Sequence, residues 1–134
     1  MNHGIVSQQQ LVDIESALQQ ELIANGVLCA LLVDTAGNTV AEQHDGNSQY
    51  DTYAFAALAA GNYATVDSMA KLVGETDFAQ LYHKGEKVSI HFSKMSEELL
   101  LITIFDNELA LGFLRLQVGE LREKLEKICA SSDS

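Results

Sequence analysis

The sequence predicts an α/β (α+β) sandwich: one five-stranded, largely antiparallel sheet with helices on both faces, in the order α-β-β-α-β-β-β-α. Three observations predict it. Two strand-like runs, Val88–Ser93 and Leu99–Phe105, lead through Asp106-Asn107-Glu108 into a segment with Leu111, Leu114, Val118, Leu121, Leu125 and Ile128 at alternating steps of three and four. That spacing keeps one apolar stripe on one face of a helix. The strands are joined mostly by short turns, which implies antiparallel pairing, with the middle helix on one face and the terminal helices on the other.

The elements follow in order. Ser7-Gln-Gln-Gln10 is a capping box, after which Leu11, Ile14, Leu18 and Leu22 recur at helical spacing until Asn25-Gly26 stops them. Val27–Val33 is a continuous apolar run between turn signals, the pattern of a buried strand. Asp34-Thr-Ala-Gly37-Asn38 is a tight turn, with Gly37 or Asn38 able to take positive φ, and Thr39–Gln43 returns as the second strand. The second helix runs from about Asp51 to Val73 and ends at Gly74. Phe55, Leu58, Val66, Met69 and Val73 form one face, assigned to the sheet. Ala57, Ala60, Gly61 and Ala64 form a side almost free of bulk, flanked by Tyr53 and Tyr63. That composition suits a good helix. It equally suits close approach by a second helix. Phe78–His83 is the third strand, at the sheet edge, and Lys84-Gly85-Glu86 turns into the fourth. There Ile90 and Phe92 alternate with Ser89, His91 and Ser93, the period-two pattern of a half-buried strand. On the last helix Glu120 to Lys124 and Glu123 to Lys127 are favourable i,i+4 pairs for a solvated outer face.

A chain of 134 residues favours one domain, here 7–130, with flexible ends at 1–6 and 131–134. Its net charge is −11 and its only arginines are Arg115 and Arg122. Phosphate neutralisation needs clustered cations, so neither nucleic acid nor an anionic membrane is an expected partner. The acidity confers solubility or steers a basic partner surface. No apolar run approaches the eighteen or so residues of a membrane span, so no membrane insertion is expected. Cys29 and Cys129 lack paired spacing and are expected to be reduced thiols. With no signal peptide, the chain reads as cytoplasmic.

Catalytic and cofactor signatures are missing, so no enzyme activity, cofactor or metal is expected. There is no phosphate-binding loop and no dinucleotide fingerprint. His83 and His91 could meet across a hairpin, but nothing completes a zinc site. Asp45–Asp51 is oxygen-rich yet departs from a calcium loop because its glycine comes second. Asp106 and Glu108 are better read as capping groups than as a catalytic pair.

The strand and turn Leu28–Val33, Asp34-Thr-Ala-Gly37-Asn38 and Thr39-Val40-Ala41, the Ala-rich helix from Tyr53 to Val73, and Leu99–Asp106 leading into Leu111-Gly112-Phe113-Leu114-Arg115 together resemble the Roadblock/dynein light-chain family. The likeness covers about residues 8–128. It is nearest to the small bacterial members of gliding-motility B type, which regulate Ras-like GTPases. The turn departs from the family's usual Asp-Gly, since Ala36 precedes Gly37 here. The resemblance implies a profilin-like or longin-like sandwich that dimerises through its third strand and middle helix. For this chain that places Ala57, Ala60, Ala64, Phe78 and Leu81 in a homodimer interface. It also implies a non-enzymatic regulator or scaffold for a small Ras-like GTPase, engaged through Tyr53, Tyr63, Asp67 and Lys71 on the helical face. Arg115 and Arg122 lie on the last helix, away from that face, so any stimulation of GTP hydrolysis would come from positioning the partner's own groups. The alternative is a ligand-sensing domain of PAS or GAF type, which would need a cavity with convergent polar groups.

Overall fold

The computed structural model describes residues 7–46, 50–75 and 80–130; the expectations for 1–6, 131–134 and Phe78 lie outside the described residues. The elements are α1 (Gln8–Glu21), a 3₁₀ turn (Ile23–Asn25), β1 (Val27–Asp34), β2 (Thr39–His44), α2 (Thr52–Leu72), β3 (Gln80–Lys84), β4 (Val88–Lys94), β5 (Leu99–Asp106) and α3 (Leu111–Ala130). The expected order holds. The strands form one sheet, β2-β1-β5-β4-β3, antiparallel at every step. Because β1 pairs with both β2 and β5, it is buried along nearly its whole length, as its unbroken apolar run requires.

α1 begins with the capping box read from sequence. Ser7 Oγ accepts from Gln10 N–H at 3.0 Å, and Gln10 Oε1 accepts from Ser7 N–H at 2.9 Å. Two otherwise orphaned donors are satisfied reciprocally. At the other end the chain tightens into the 3₁₀ turn and Gly26 takes φ +105°, which lets β1 start directly after the helix.

α1 and α3 cover one face of the sheet. Ile14, Leu18 and Leu22 at the α1 end and Leu114, Val118, Leu121 and Leu125 of α3 close over Ala30, Leu32, Leu101 and Phe105. Each large side chain fully buried there contributes about 2 kcal/mol. Lys124 does not pair along its own helix with Glu120 as expected; it reaches across to Glu21 and ties the two helices together. Among the described residues α2 alone covers the other face, resting on Leu31, Val33, Leu100, Ile102 and Ile104.

The β1–β2 turn is organised by Asp34, which is buried and accepts from Ala36 N–H, Asn38 N–H and the Asn38 side chain at 2.8 to 3.1 Å. Of the two positive-φ candidates, Gly37 takes it, at +95°. A Cβ at Gly37 would also sit 3.4 Å from Ala57 Cα, so the turn presses against the α2 backbone. Gly37→Ala is therefore expected to lower stability by about 1–2 kcal/mol, through strain at a left-handed position. A denaturant midpoint that does not move would show that the turn relaxes freely.

Two sequence expectations reverse. In β4 the polar set Ser89, His91 and Ser93 is the buried one, while Val88, Ile90 and Phe92 are half-exposed. The reason is coverage. The polar set lies beneath α3, whose Arg122 donates to Ser93 Oγ at 2.9 Å and to Lys94 O at 3.2 Å. α2 sits mainly over β1 and leaves the other side of β4 partly open. The second reversal is α2 itself. Ala56, Ala59, Ala60 and Ala70 are its buried residues, and Leu58, Met69 and Val73, assigned from sequence to the sheet, are exposed. Phe55 does pack on the sheet, as expected.

Candidate partner interface

α2 starts cleanly, with the Asp51 side chain accepting from Ala54 N–H at 3.0 Å. Its 21 residues have an apolar character nearly all round, so the sheet selects among them by size. Branched side chains rising from β1 and β5 fill the interlayer space, and only alanines on the helix let the layers close. Leu58 (73% exposed), Met69 and Leu72 are left on the outside.

The two flanks of α2 differ. The β1–β2 turn approaches Ala57 and Ala60, which fixes that side of the helix toward β2. Helical spacing then turns Phe55, Leu58, Asn62, Val66 and Met69 toward β5, β4 and β3. On the sheet beside them, Leu81 pairs with Phe92 and His83 with Ile90, so these four share the α2 face. The His83 ring meets Phe92 edge-on at 5.7 Å. An apolar surface thus runs from Leu58 and Met69 down over Val66, Ile90 and Phe92 to the open edge of β3. Asn62 Nδ2 is buried along it without a hydrogen-bond partner among the described residues.

The residues singled out from sequence divide accordingly. Tyr53 is 89% exposed, and Lys71 is exposed and paired with Asp67 at 3.2 Å. These three lie on one flank and the top of α2. Tyr63 differs: it is half-buried and packs into the α2-side core, so it does not stand with Tyr53 on the outer face. Ala57 and Ala64 are exposed on the bulk-free outer stripe together with Gly61. Ala60, expected at the interface, is buried within the single chain against the Gly37 turn. Leu81 lies on the edge strand, half-exposed. Sequence reasoning missed Leu58, Met69 and Phe92 as surface residues. The signal available was that too many bulky residues crowd α2 for one sheet-facing stripe.

The remaining chemistry is quiet. Cys29 is buried, and desolvation, then Glu42 and Asp45, push its thiol up to about 11. Burial likewise raises Cys129. Neither thiol is a nucleophile near neutral pH. His83 and His91 do not meet, because their register places them on opposite faces of the β3–β4 hairpin. His91 is completely buried, and burial, followed by the charges of Arg115 and Arg122, pushes its pKa down to about 4. Asp106 caps the turn before α3 by accepting from Glu108 N–H at 2.8 Å, rather than capping the helix itself. Among the described residues no group of three or more His, Cys, Asp or Glu is placed to hold a metal ion, and no helix is long and apolar enough to cross a membrane.

A family model described as the Roadblock/LC7 domain matches residues 15–105. The gliding protein MglB from Thermus thermophilus superposes with a TM-score of 0.85 at 25% identity, over 95% of this chain and 96% of that one. Myxococcus xanthus MglB superposes with a TM-score of 0.82 at 30% identity, over 95% of each chain. Acanthamoeba castellanii profilin IA, at 15% identity and a TM-score of 0.60 over 83% of this chain and 94% of that one, shares the fold alone. No curated protein matches the sequence.

Proposed function

Because the chain belongs to the Roadblock/LC7 domain family, we propose that it is a homodimeric, non-enzymatic regulator that binds a small Ras-like GTPase. The observation that carries this reading is the uncovered surface of α2 and its continuation to the β3 edge. Its two flanks suit two different tasks. The apolar flank, with Leu58, Met69 and the half-exposed β4 residues, fits a second copy of the chain, which would extend the sheet through β3 and hide the exposed edge. The unmatched Asn62 amide would gain an acceptor there. The outer stripe of Ala57, Gly61 and Ala64, bordered by Tyr53, Asp67 and Lys71, fits a partner that approaches the helix closely. Tyrosine brings apolar area with a polar tip, and the charged pair sets complementarity at the rim. Likeness to MglB proteins over nearly the whole chain supports the same reading.

The arginines bear on mechanism. Arg122 is engaged beneath α3 with Ser93 and Lys94, on the sheet face opposite α2, and Arg115 precedes it along the same flank of that helix. Neither can reach a nucleotide held over α2 of the same chain. Any acceleration of hydrolysis would therefore come from ordering the GTPase's own catalytic groups. The ligand-sensing alternative finds no support in the family match.

The test is calorimetric titration with a Ras-like GTPase from the same organism, loaded in turn with GDP and a non-hydrolysable GTP analogue. Saturable binding is expected in one nucleotide state. Tyr53→Ala combined with Lys71→Glu should weaken it more than tenfold, about 1.4 kcal/mol, with circular dichroism unchanged. Absence of binding in both states would overturn the assignment. Undiminished affinity in the double variant would move the contact away from this flank.

A further inference from the structure

The sheet has a second open edge. β2 lies at the far side from β3 and, among the described residues, pairs only with β1. Asp45 N–H donates to Leu28 O at 3.0 Å, and the register pairs Ala30 with Gln43, Leu31 with Glu42 and Cys29 with His44. Hydrogen-bonded and non-hydrogen-bonded pairs alternate along an antiparallel ladder. Counting from Asp45, Gln43 and Ala41 give their backbone groups to β1, whereas Glu42 and His44 turn theirs outward. Outward N–H and C=O groups on an edge are a template for one more strand.

A cavity of about 360 Å³ follows this edge. Leu11 and Glu15 of α1 and Thr52 and Tyr53 of α2 wall it, with Val40 and Glu42 of β2 between them. α1 and α2 pack on opposite faces of the sheet, so walls from both can meet only around the open side of β2. The charged residues in this lining, Glu15 and Glu42, are both acidic, and they stand on opposite faces. Glu42 shares the α2 face with its register partner Leu31, while Glu15 belongs to α1.

We propose that the β2 edge is a docking groove for an extended peptide segment of a partner protein that carries two adjacent basic residues and adds as a sixth strand. Side chains alternate along a strand, so neighbouring residues point to opposite faces. The first basic side chain then meets Glu42, beside the exposed ring of Tyr53, whose face attracts a cation. The next meets Glu15. A net charge of −11 draws such a segment in from solution. The groove lies at the opposite edge from β3, so the inference stands apart from the dimer reading; it shares Tyr53 with the proposed GTPase contact, and Glu15 and Glu42 lie outside that contact.

The experiment titrates the full chain with a fluorescein-labelled octapeptide, Thr-Val-Thr-Lys-Arg-Val-Thr-Val, and follows anisotropy. Of three control peptides, one replaces Lys-Arg by Ala-Ala and two carry N-methyl groups on alternate backbone nitrogens, one in each register. Saturable binding is expected for the basic peptide, at least tenfold weaker for Ala-Ala and lost for the N-methylated strand in the register facing β2. Glu15→Gln with Glu42→Gln should weaken binding at least tenfold without moving the thermal midpoint. Amide exchange at Glu42 and His44 should slow on binding, because those N–H groups acquire acceptors. No saturable binding, equal binding of both N-methylated registers, or protection appearing on β3 instead would overturn the proposal. So would protection of Glu42 and His44 that rises with protein concentration alone, which would show a second copy covering the edge.

Discussion

Ala59→Trp is expected to unfold the protein, whereas Leu58→Asp with Met69→Asp leaves it folded and turns a dimer into a monomer. Ala59 is fully buried between α2 and the sheet, among Leu31, Ile102 and Ile104. An indole has no room there unless the layers separate, and overpacking on that scale costs about 3 kcal/mol or more, much of the stability of a domain this size. Leu58 and Met69 are exposed in the single chain, where surface substitutions change stability by about 0.5 kcal/mol. In the proposed dimer the same carboxylates would be driven against an apolar partner surface without counter-charges, which is strongly unfavourable. Thermal melts followed by circular dichroism and light scattering at tens of micromolar separate the outcomes. A double aspartate variant that melts as early as Ala59→Trp would return Leu58 and Met69 to the core. One that stays dimeric would place the self-association surface elsewhere.

The same helix shows where the sequence could be read and where it could not. Its limits were legible, because Asp51 caps it and Gly74 follows it. Its orientation was not. Periodicity finds a buried face only when bulk and burial go together, and here the sheet's own side chains, Leu31, Val33 and Ile102 among them, supply the bulk and demand alanine opposite. Small residues were read as the outer face; Ala57, Gly61 and Ala64 are outside, but Ala56, Ala59 and Ala60 face inward. α1 and α3 carried less ambiguity, since each has one leucine-rich stripe and a mostly polar remainder apart from Val12, Phe113 and Leu116, and both stripes are buried as expected. In β4 the period of two was correct and its phase was inverted. A strand next to the sheet edge is judged by what covers each side, and Ile90 and Phe92 lie on the side that this chain leaves half-covered. Both inversions fall on the surface proposed above for a second copy of the chain. Apolar residues that a partner would cover look like core in the sequence and like surface in the isolated chain.

The buried phase of β4 carries the second large effect: through His91 alone, acid is expected to remove about 3 kcal/mol of stability between pH 7 and pH 4. In the unfolded chain this imidazole takes up a proton near 6.5; in the folded protein it resists until about 4. Between those values the unfolded state binds more protons than the native state, so stability falls as pH falls. The contribution is complete above 6.5 and lost progressively toward 4. The groups facing His91 explain the resistance. Ser89 and Ser93 lie along β4, Thr103 of β5 donates to His91 O at 3.4 Å, Tyr82 is its register partner on β3, and α3 adds Arg115 and Arg122. No carboxylate stands among them to receive an imidazolium, and neither ring nitrogen has a hydrogen-bond partner among the described residues. His91→Leu should therefore be at least as stable as the parent at pH 7.5, because it removes an unmatched buried polar group worth about 1 kcal/mol or more. Carboxylates titrate alike in both proteins, so the difference between their urea unfolding free energies at about pH 7.5, 6, 5 and 4.5 isolates the histidine. That difference should widen steadily in the variant's favour as pH falls. A difference that stays flat would mean that His91 titrates as a solvent-exposed imidazole, and that α3 does not seal the polar side of β4.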